Sequence, residues 1–337
     1  MMVAVFGAYG HTGRFVVAEL RERGYEPLPL GRDAAKLAAA FSEVAHRVAS
    51  VDDPASLDRA LAGAAAVVNC AGPFADTAGP LVEAALRAGI PYLDVAAEIE
   101  ANRDTFARFT DRAQAAGVPV VPAMAFFGGL GDLLVTTAMG DWSAADEAHV
   151  AYGLSSWHPT AGTLASGTVS RDRRDGRRVR FTAGRLEYVE GGDLPRLEWD
   201  FPAPLGTRPV LGEFTMADVV TVPSHLPIPE VRTYMTADAA RDLAAGDTPS
   251  LTAVDERGRS AQTFTVDVVV RAGTIGRRVV AQGQDIYAVS APLVVEAVDR
   301  VLTGRTRVTG VASAGRIFDA PDFLRALAAH LTVETPA

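Results

Sequence analysis

The sequence is poor in two residues, and both scarcities exclude chemistry. Of 337 residues only Cys70 is a cysteine and only Lys36 is a lysine. A lone cysteine rules out an intrachain disulfide and fits a reducing, cytoplasmic setting. A lone lysine closes off a Tyr-x-x-x-Lys pair, a phosphate-loop lysine and any Schiff-base lysine beyond the N-terminal domain. No apolar run approaches the roughly 18 residues a membrane span requires. Val3–Phe6 is too short for a secretory core and follows no basic stretch. The histidines, at 11, 46, 149, 158, 225 and 330, lack metal-ligand spacing, so no metal is expected. A net charge of −9 argues against a nucleic-acid partner, which would need a basic surface. There is no internal repeat, coiled coil or low-complexity tract.

What is present reads as an ordinary globular chain, 48% apolar and 22% charged, long enough for two domains. Met2–Phe6 is a short apolar run that reads as a buried parallel strand. It enters Gly7-Ala-Tyr-Gly-His-Thr-Gly-Arg14, and a helical apolar pattern follows. Strand, glycine turn and helix are the context a dinucleotide-binding turn requires. Glycines at 7, 10 and 13 give G-x-x-G-x-x-G rather than the usual spacing. The demands can still be met: a sharp turn at Gly7, close backbone approach at Gly10, tight packing at Gly13. A helix start then faces the phosphates, with Tyr9, His11, Thr12 and Arg14 around it.

A second strand, Pro27–Leu30, ends in Gly31-Arg32-Asp33. An acid at this strand end would hold the ribose 2′-hydroxyl of NAD; the guanidinium of Arg32 suits the 2′-phosphate of NADP(H) instead. Asp33 either joins that site or caps the next helix. Strand and helix go on alternating: a helix over 34–41, a short strand within 43–49, a helix start at Asp52-Asp-Pro-Ala, and a strand over 64–69. Helices are expected over 79–88 and 100–116, and strands over 92–95 and 118–121. Such repetition predicts a doubly wound Rossmann parallel sheet. Ligands bind beyond the carboxyl ends of its strands. Asn69, Cys70, Ala71, Gly72, Pro73 and Phe74 after the fourth strand, and Glu98 after the fifth, therefore line the cofactor crevice. Cys70 is expected to pack rather than react.

Beyond Asp132 the pattern changes to strand-like runs with tight turns: 149–157, a hairpin over 179–189 around Ala183-Gly184, and 264–271 turning into 277–284. Helices follow over 289–302 and from Asp319. The basic run 171–180 reads as a solvated loop or hairpin. The fold class is α/β, with a second α+β domain on a mixed or antiparallel sheet. The expected division is 1–125 as the dinucleotide domain and 126–304 as a substrate or dimerisation domain.

Several segments carry a family resemblance. Gly7–Arg14, Gly31-Arg32-Asp33, Asn69–Phe74 and Tyr92-Leu-Asp-Val-Ala-Ala-Glu98 resemble the saccharopine dehydrogenase-like reductases, with Ala97 where that family often has glycine. Pro122–Asp132 is similar to its Gly-Phe-Asp-x-x-Pro-x-Asp stretch. Ala125 and Phe127 replace the glycine and aspartate there, so those two roles do not carry over. Gly162–Thr168, Gln284–Pro292 and Asp319–Leu324 extend the likeness. The resemblance is closest to the branch labelled trans-acting enoyl reductase. It implies a two-domain NADP(H)-dependent oxidoreductase whose tail, 305–337, returns to the first domain.

The cofactor would supply the hydride, and the protein must orient a small-molecule acceptor and manage a proton. Candidate donors are Tyr9, His11, Tyr152, His158, His225, Tyr234 and Tyr287. His158 and Tyr152, flanking Ser155-Ser-Trp157, are preferred as catalytic residues. Phe126 and Phe127 either wall the nicotinamide or pack in the core. Three functions follow: reduction of an imine in a secondary-metabolite-like substrate, reduction of an activated C=C bond in a polyketide-like or terpenoid-like one, or a non-catalytic dinucleotide sensor. A homodimer is expected on base rate alone.

Overall fold

The computed structural model describes residues 1–245 and 251–335. Its first sheet is built from β1 (Met2–Phe6), β2 (Glu26–Gly31), β3 (Arg47–Val48), β4 (Ala66–Asn69), β5 (Tyr92–Asp94) and β6 (Val120–Val121). The order β3-β2-β1-β4-β5-β6 is parallel throughout. Strands buried on both faces must be apolar along their length, and Val3, Ala4, Val5, Ala66, Val67 and Val68 are sealed from solvent. The connections are α1 (His11–Glu22), α2 (Ala34–Ala40), α3 (Pro54–Leu61), α4 (Phe74–Ala88) and α5 (Ile99–Ala116). Their ends follow local chemistry. Asp33 and Asp53 cap α2 and α3 by accepting from Lys36 N and Ser56 N, and Gly89 and Gly117 close α4 and α5 in the left-handed conformation. Helix α4 begins five residues earlier than the pattern suggested, and Pro80 lies inside it.

Next come α6 (Gly131–Met139), β7 (Glu147–Leu154), α7 (Ala161–Arg173), β8 (Arg178–Thr182), β9 (Arg185–Val189), β10 (Arg196–Asp200) and β11 (Thr207–Gly212). They are followed by α8 (Asp218–Thr221), β12 (Glu230–Thr236), α9 (Ala237–Ala245), β13 (Thr263–Ala272), β14 (Ile275–Gln284) and α10 (Ser290–Leu302). Two short helices, α11 (Ala314–Ile317) and α12 (Ala320–Ala326), and β15 (Leu331–Glu334) complete the described chain. The second sheet runs β10-β11-β12-β7-β13-β14-β15, with the β8–β9 hairpin joined to β12. It is mixed: β12 and β7 are parallel, and the other pairs are antiparallel.

One apolar core runs through both halves. Val150, Tyr152, Val266, Val268 and Val270 from the second sheet join Leu133, Leu134 and Val135 of α6 and Val3, Val5 and Val16 of the first unit. The tail serves both sheets. Val311 bridges Val120 beside β6, whereas β15 pairs with β14. The last two residues of the expected 305–337 segment lie outside the described ones. The basic run 171–180 is not a free loop. It ends α7 and starts β8, and Arg173, Arg174, Arg178 and Arg180 each hold a carboxylate. No described helix is long and apolar enough to cross a membrane.

Candidate dinucleotide site

The glycine turn is fixed from two sides. Gly7 N and Ala8 N both donate to Leu30 O of β2, at 2.9 and 3.2 Å, and Gly10 N donates back to Gly7 O at 2.9 Å. Gly7 has φ +80°, and a Cβ there would lie 2.8 Å from Ala71, so the turn packs directly on the loop after β4. A Cβ at Gly13 would lie 2.3 Å from Gly7 O and 2.9 Å from Ala8. Helix α1 starts at Gly10 with no side-chain cap. Its first amides are therefore available to an anion. Thr12 is half-buried at this start, and Arg14 is exposed, its Nε donating to Tyr9 O.

At the end of β2 the ring of Tyr9 lies against Gly31, where a Cβ would meet Cε1 at 2.5 Å. Arg32 is exposed and, among the described residues, has no ion pair or hydrogen-bond partner. A guanidinium left free beside a glycine turn is available to a phosphate. Asp33 instead caps α2, and the lone lysine, Lys36, lies 3.7 Å from its carboxylate and 6.0 Å from the centre of the Tyr9 ring. Arg32→Ala should weaken NADPH binding by about 10- to 100-fold, the scale of one charge-assisted hydrogen bond, and leave NADH binding unchanged. Fluorescence titration with each cofactor checks this; equal losses would remove the 2′-phosphate assignment.

The loops after β4 and β5 are held by a buried polar network. Asn69 Nδ2 donates to Thr77 Oγ1 and Tyr92 OH, while its Oδ1 accepts from Ala71 N. Tyr92 OH donates to Asp94, whose other oxygen accepts from Ala96 N and Ala123 N. Burial raises the Asp94 carboxyl to about 6. Glu98 accepts from Phe74 N at 2.7 Å and Ala75 N at 3.0 Å, capping α4 with both oxygens, and burial raises its pKa. Asn69 and Glu98 thus shape the crevice wall, and the backbone of Cys70–Pro73 forms its surface. Gly72–Pro73 is a cis peptide, and Phe74 is buried. Cys70 is half-buried, and burial pushes its thiol pKa up, against reactivity. Thr77, Tyr92 and Asp94 were not among the expected site residues; Tyr92 and Asp94 stand in the Tyr92–Glu98 segment that carries the family resemblance, whereas no sequence signal marks Thr77.

The second unit closes the crevice through Tyr287. Its hydroxyl receives Trp157 Nε1 at 3.2 Å and Thr160 N at 3.3 Å, and shares a hydrogen bond with Thr163 Oγ1 at 3.0 Å. Its ring meets His11 edge-on at 5.3 Å. Burial lowers the pKa of His11, so its imidazole is neutral at pH 7. Ser166, one turn on from Thr163, abuts Gly72, where a Cβ would lie 2.5 Å from its Oγ. His158 lies in the same segment, with its carbonyl near Tyr287 OH and a buried Nδ1 that has no hydrogen-bond partner among the described residues. The structure brings His158 to the crevice but not Tyr152. Tyr152 is sealed in the core between Phe126 and Phe127, donating its hydroxyl to both oxygens of Asp218 at 2.9 Å. Phe126 is likewise a core residue, packed on Phe127 and Phe264. His225 is bonded to the buried Asp132 at 2.7 Å, and Tyr234 to His149 at 2.8 Å, both away from the crevice.

A crevice of this kind, at the carboxyl ends of a β3-β2-β1-β4-β5-β6 parallel sheet with a glycine turn before α1, defines a dinucleotide-binding domain of Rossmann type. Residues 3–121 match the family model for the saccharopine dehydrogenase NADP binding domain. Over those residues the chain is thus similar to that NADP-binding family. The chain is 32% identical over 142 residues to a probable mitochondrial saccharopine dehydrogenase-like oxidoreductase of Arabidopsis thaliana, covering 37% of this chain and 31% of that protein. It is 28% identical over 145 residues to the saccharopine dehydrogenase-like oxidoreductase of Homo sapiens, covering 37% and 34%. The matched stretch thus spans about a third of the length of these curated relatives. In fold, the whole chain superposes on saccharopine dehydrogenase (L-Glu forming) of Saccharomyces cerevisiae, with a TM-score of 0.66, 12% identity and 100% of each chain covered. The residues present fit NADP(H): an uncapped helix start, a turn that excludes side chains at 7 and 13, and a guanidinium at Arg32 without a partner among the described residues.

Proposed function

We propose that this chain is an NADPH-dependent oxidoreductase that reduces the C=N bond of a small-molecule imine or iminium. The observation carrying the reading is the pairing of the glycine turn with the unpaired Arg32, which together suit a phosphorylated dinucleotide. NADPH, when bound, supplies the hydride. In this reading Gly7–Gly13 and the first amides of α1 hold the phosphates, Arg32 and Tyr9 the adenosine end, and Cys70–Pro73 the nicotinamide half. Tyr287, Thr160, Thr163 and Ser166 orient the acceptor and exclude water. The preference for C=N rests on proton chemistry. The Tyr152 proton is committed to Asp218, and an iminium arrives already protonated, so no side-chain acid is required.

One observation favours a second reading, reduction of an activated C=C bond. The unpartnered Nδ1 of His158, beside Tyr287, would then be the proton donor. NADPH oxidation followed with a panel of cyclic imines and enones tests the choice. Turnover of imines that survives His158→Gln supports the first reading. Turnover of enones alone, lost in that variant, replaces it with the second.

A further inference from the structure

Of the candidate tyrosines in the second unit, two are withdrawn from the crevice: Tyr152 is bonded to Asp218 and Tyr234 to His149. Tyr287 remains, and donors converge on its oxygen. Trp157 Nε1 and Thr160 N reach it at 3.2 and 3.3 Å. Both of these groups can only donate, so they take up the lone pairs of the phenolic oxygen. Its proton must therefore point elsewhere. Thr163 Oγ1, at 3.0 Å, is the near acceptor; His158 O, at 3.5 Å, is long for a hydrogen bond. Thr163 Oγ1 in turn lies 3.0 Å from Thr160 Oγ1 at the start of α7, where Ala161 and Gly162 are exposed. A chain of hydroxyls thus leads from Tyr287 toward the surface.

We propose that Tyr287 is a catalytic residue, the proton donor to a substrate that arrives as a neutral imine. This role rests on the C=N reading above and adds to it the acid that an unprotonated substrate needs. The phenol O–H bond breaks and an N–H bond forms, turning the imine into an iminium. The hydride that NADPH supplies then adds to carbon, leaving an amine and NADP⁺. The phenolate takes a proton back from Thr163, Thr163 from Thr160, and Thr160 from water. The placement suits this. The Tyr287 ring meets His11 of the glycine turn edge-on at 5.3 Å, while Ser166, one turn on from Thr163, abuts Gly72. The hydroxyl therefore stands between the phosphate turn and the loop assigned to the nicotinamide half. Burial raises the Tyr287 pKa against the pull of its three donors, so the phenol keeps its proton at neutral pH until a basic nitrogen takes it. Thr163, Trp157 Nε1 and Thr160 N can then all donate to the phenolate, as preorganised donors do for a developing oxyanion.

The test compares NADPH oxidation with a cyclic imine, at alkaline pH where it is unprotonated, and with its N-methyl iminium, which has no place for a proton. Tyr287→Phe should lower kcat for the neutral imine by about 100-fold or more, the scale of general acid catalysis, and for the iminium at least about tenfold less. Titration with NADPH confirms that the crevice of the variant is intact. A fluorinated tyrosine at residue 287, followed by fluorine NMR, reads the phenol without turnover. Thr163→Val, which keeps the packing, should weaken the acidity of that phenol by about tenfold, the scale of one hydrogen bond to a charged oxygen. Equal losses for the two substrates in Tyr287→Phe, or a phenol indifferent to Thr163→Val, would overturn the proposal and leave the C=N reading standing. A wild type that turns over neither substrate would overturn both.

Discussion

Replacing Gly13 by valine should abolish measurable NADPH binding, a loss of at least about 100-fold, and lower folding stability by about 1–3 kcal/mol. Two causes act together. A Cβ at residue 13 would stand 2.3 Å from the carbonyl oxygen of Gly7 and 2.9 Å from Ala8, and all of those contacts are backbone. No side chain can rotate away, so the turn itself must lift. The turn is tied to β2 through Leu30 O and packed on Ala71, so lifting it breaks those bonds and moves the start of α1. The phosphate-binding amides then lose their position. Gly167→Ala is the matched control. That helix position has nothing within 4 Å of its Cβ, and the change should stabilise α7 slightly with binding intact. Urea unfolding and fluorescence titration read both effects. NADPH binding at wild-type strength in Gly13→Val would place the phosphates elsewhere.

Tyr152→Phe should destabilise the protein in a pH-dependent way while leaving cofactor binding unchanged. Asp218 is fully buried, and burial, reinforced by the neighbouring Asp132, raises its carboxyl to about 7. The unfolded value is near 3.8, so between about pH 4 and pH 7 the folded state holds a proton that the unfolded state has lost. Stability contributed by that proton is present at low pH and falls as pH rises through this window, then levels off. The Tyr152 hydroxyl is the donor that softens the fall by solvating the carboxylate. At pH 5 Asp218 is neutral, and the variant loses about 1 kcal/mol, one hydrogen bond. At pH 8 it leaves a buried carboxylate without its donor, and the loss should reach about 3 kcal/mol. Denaturant unfolding at the two pH values checks this. Equal losses at both would show that Asp218 does not ionise in this range. A fall in kcat without a fall in stability would return Tyr152 to the catalytic site.

The first unit was the more legible half of the sequence because its signals are local. Met2–Phe6 is apolar through and through because the strand is buried on both faces, and it stands as read. Asp53 before Pro54 marks a helix start in sequence and in structure. The helix over 74–88 was read late because its cap is not local: Glu98, at the end of the next strand, satisfies its first amides. Helix α7 carries two glycines and four threonines or serines, a poor helical signal. It is held instead by Ser170 and Arg174 on Glu100 and by Arg173 on Asp104. Tyr152 and Phe126 were read toward the crevice because strand exits point there. Tyr152 alternates to the core face of β7, beside Val150, and sequence cannot say which face that is until β13 and α6 are placed.

The central claim is that the glycine turn and Arg32 form a site for a phosphorylated dinucleotide. Titrating the purified chain with NADPH and NADH, followed by intrinsic fluorescence, tests it most directly. The account predicts saturable binding of NADPH at least about tenfold tighter than NADH, from the one extra charge-assisted contact at Arg32. Equal or tighter binding of NADH, or binding of neither, would contradict it.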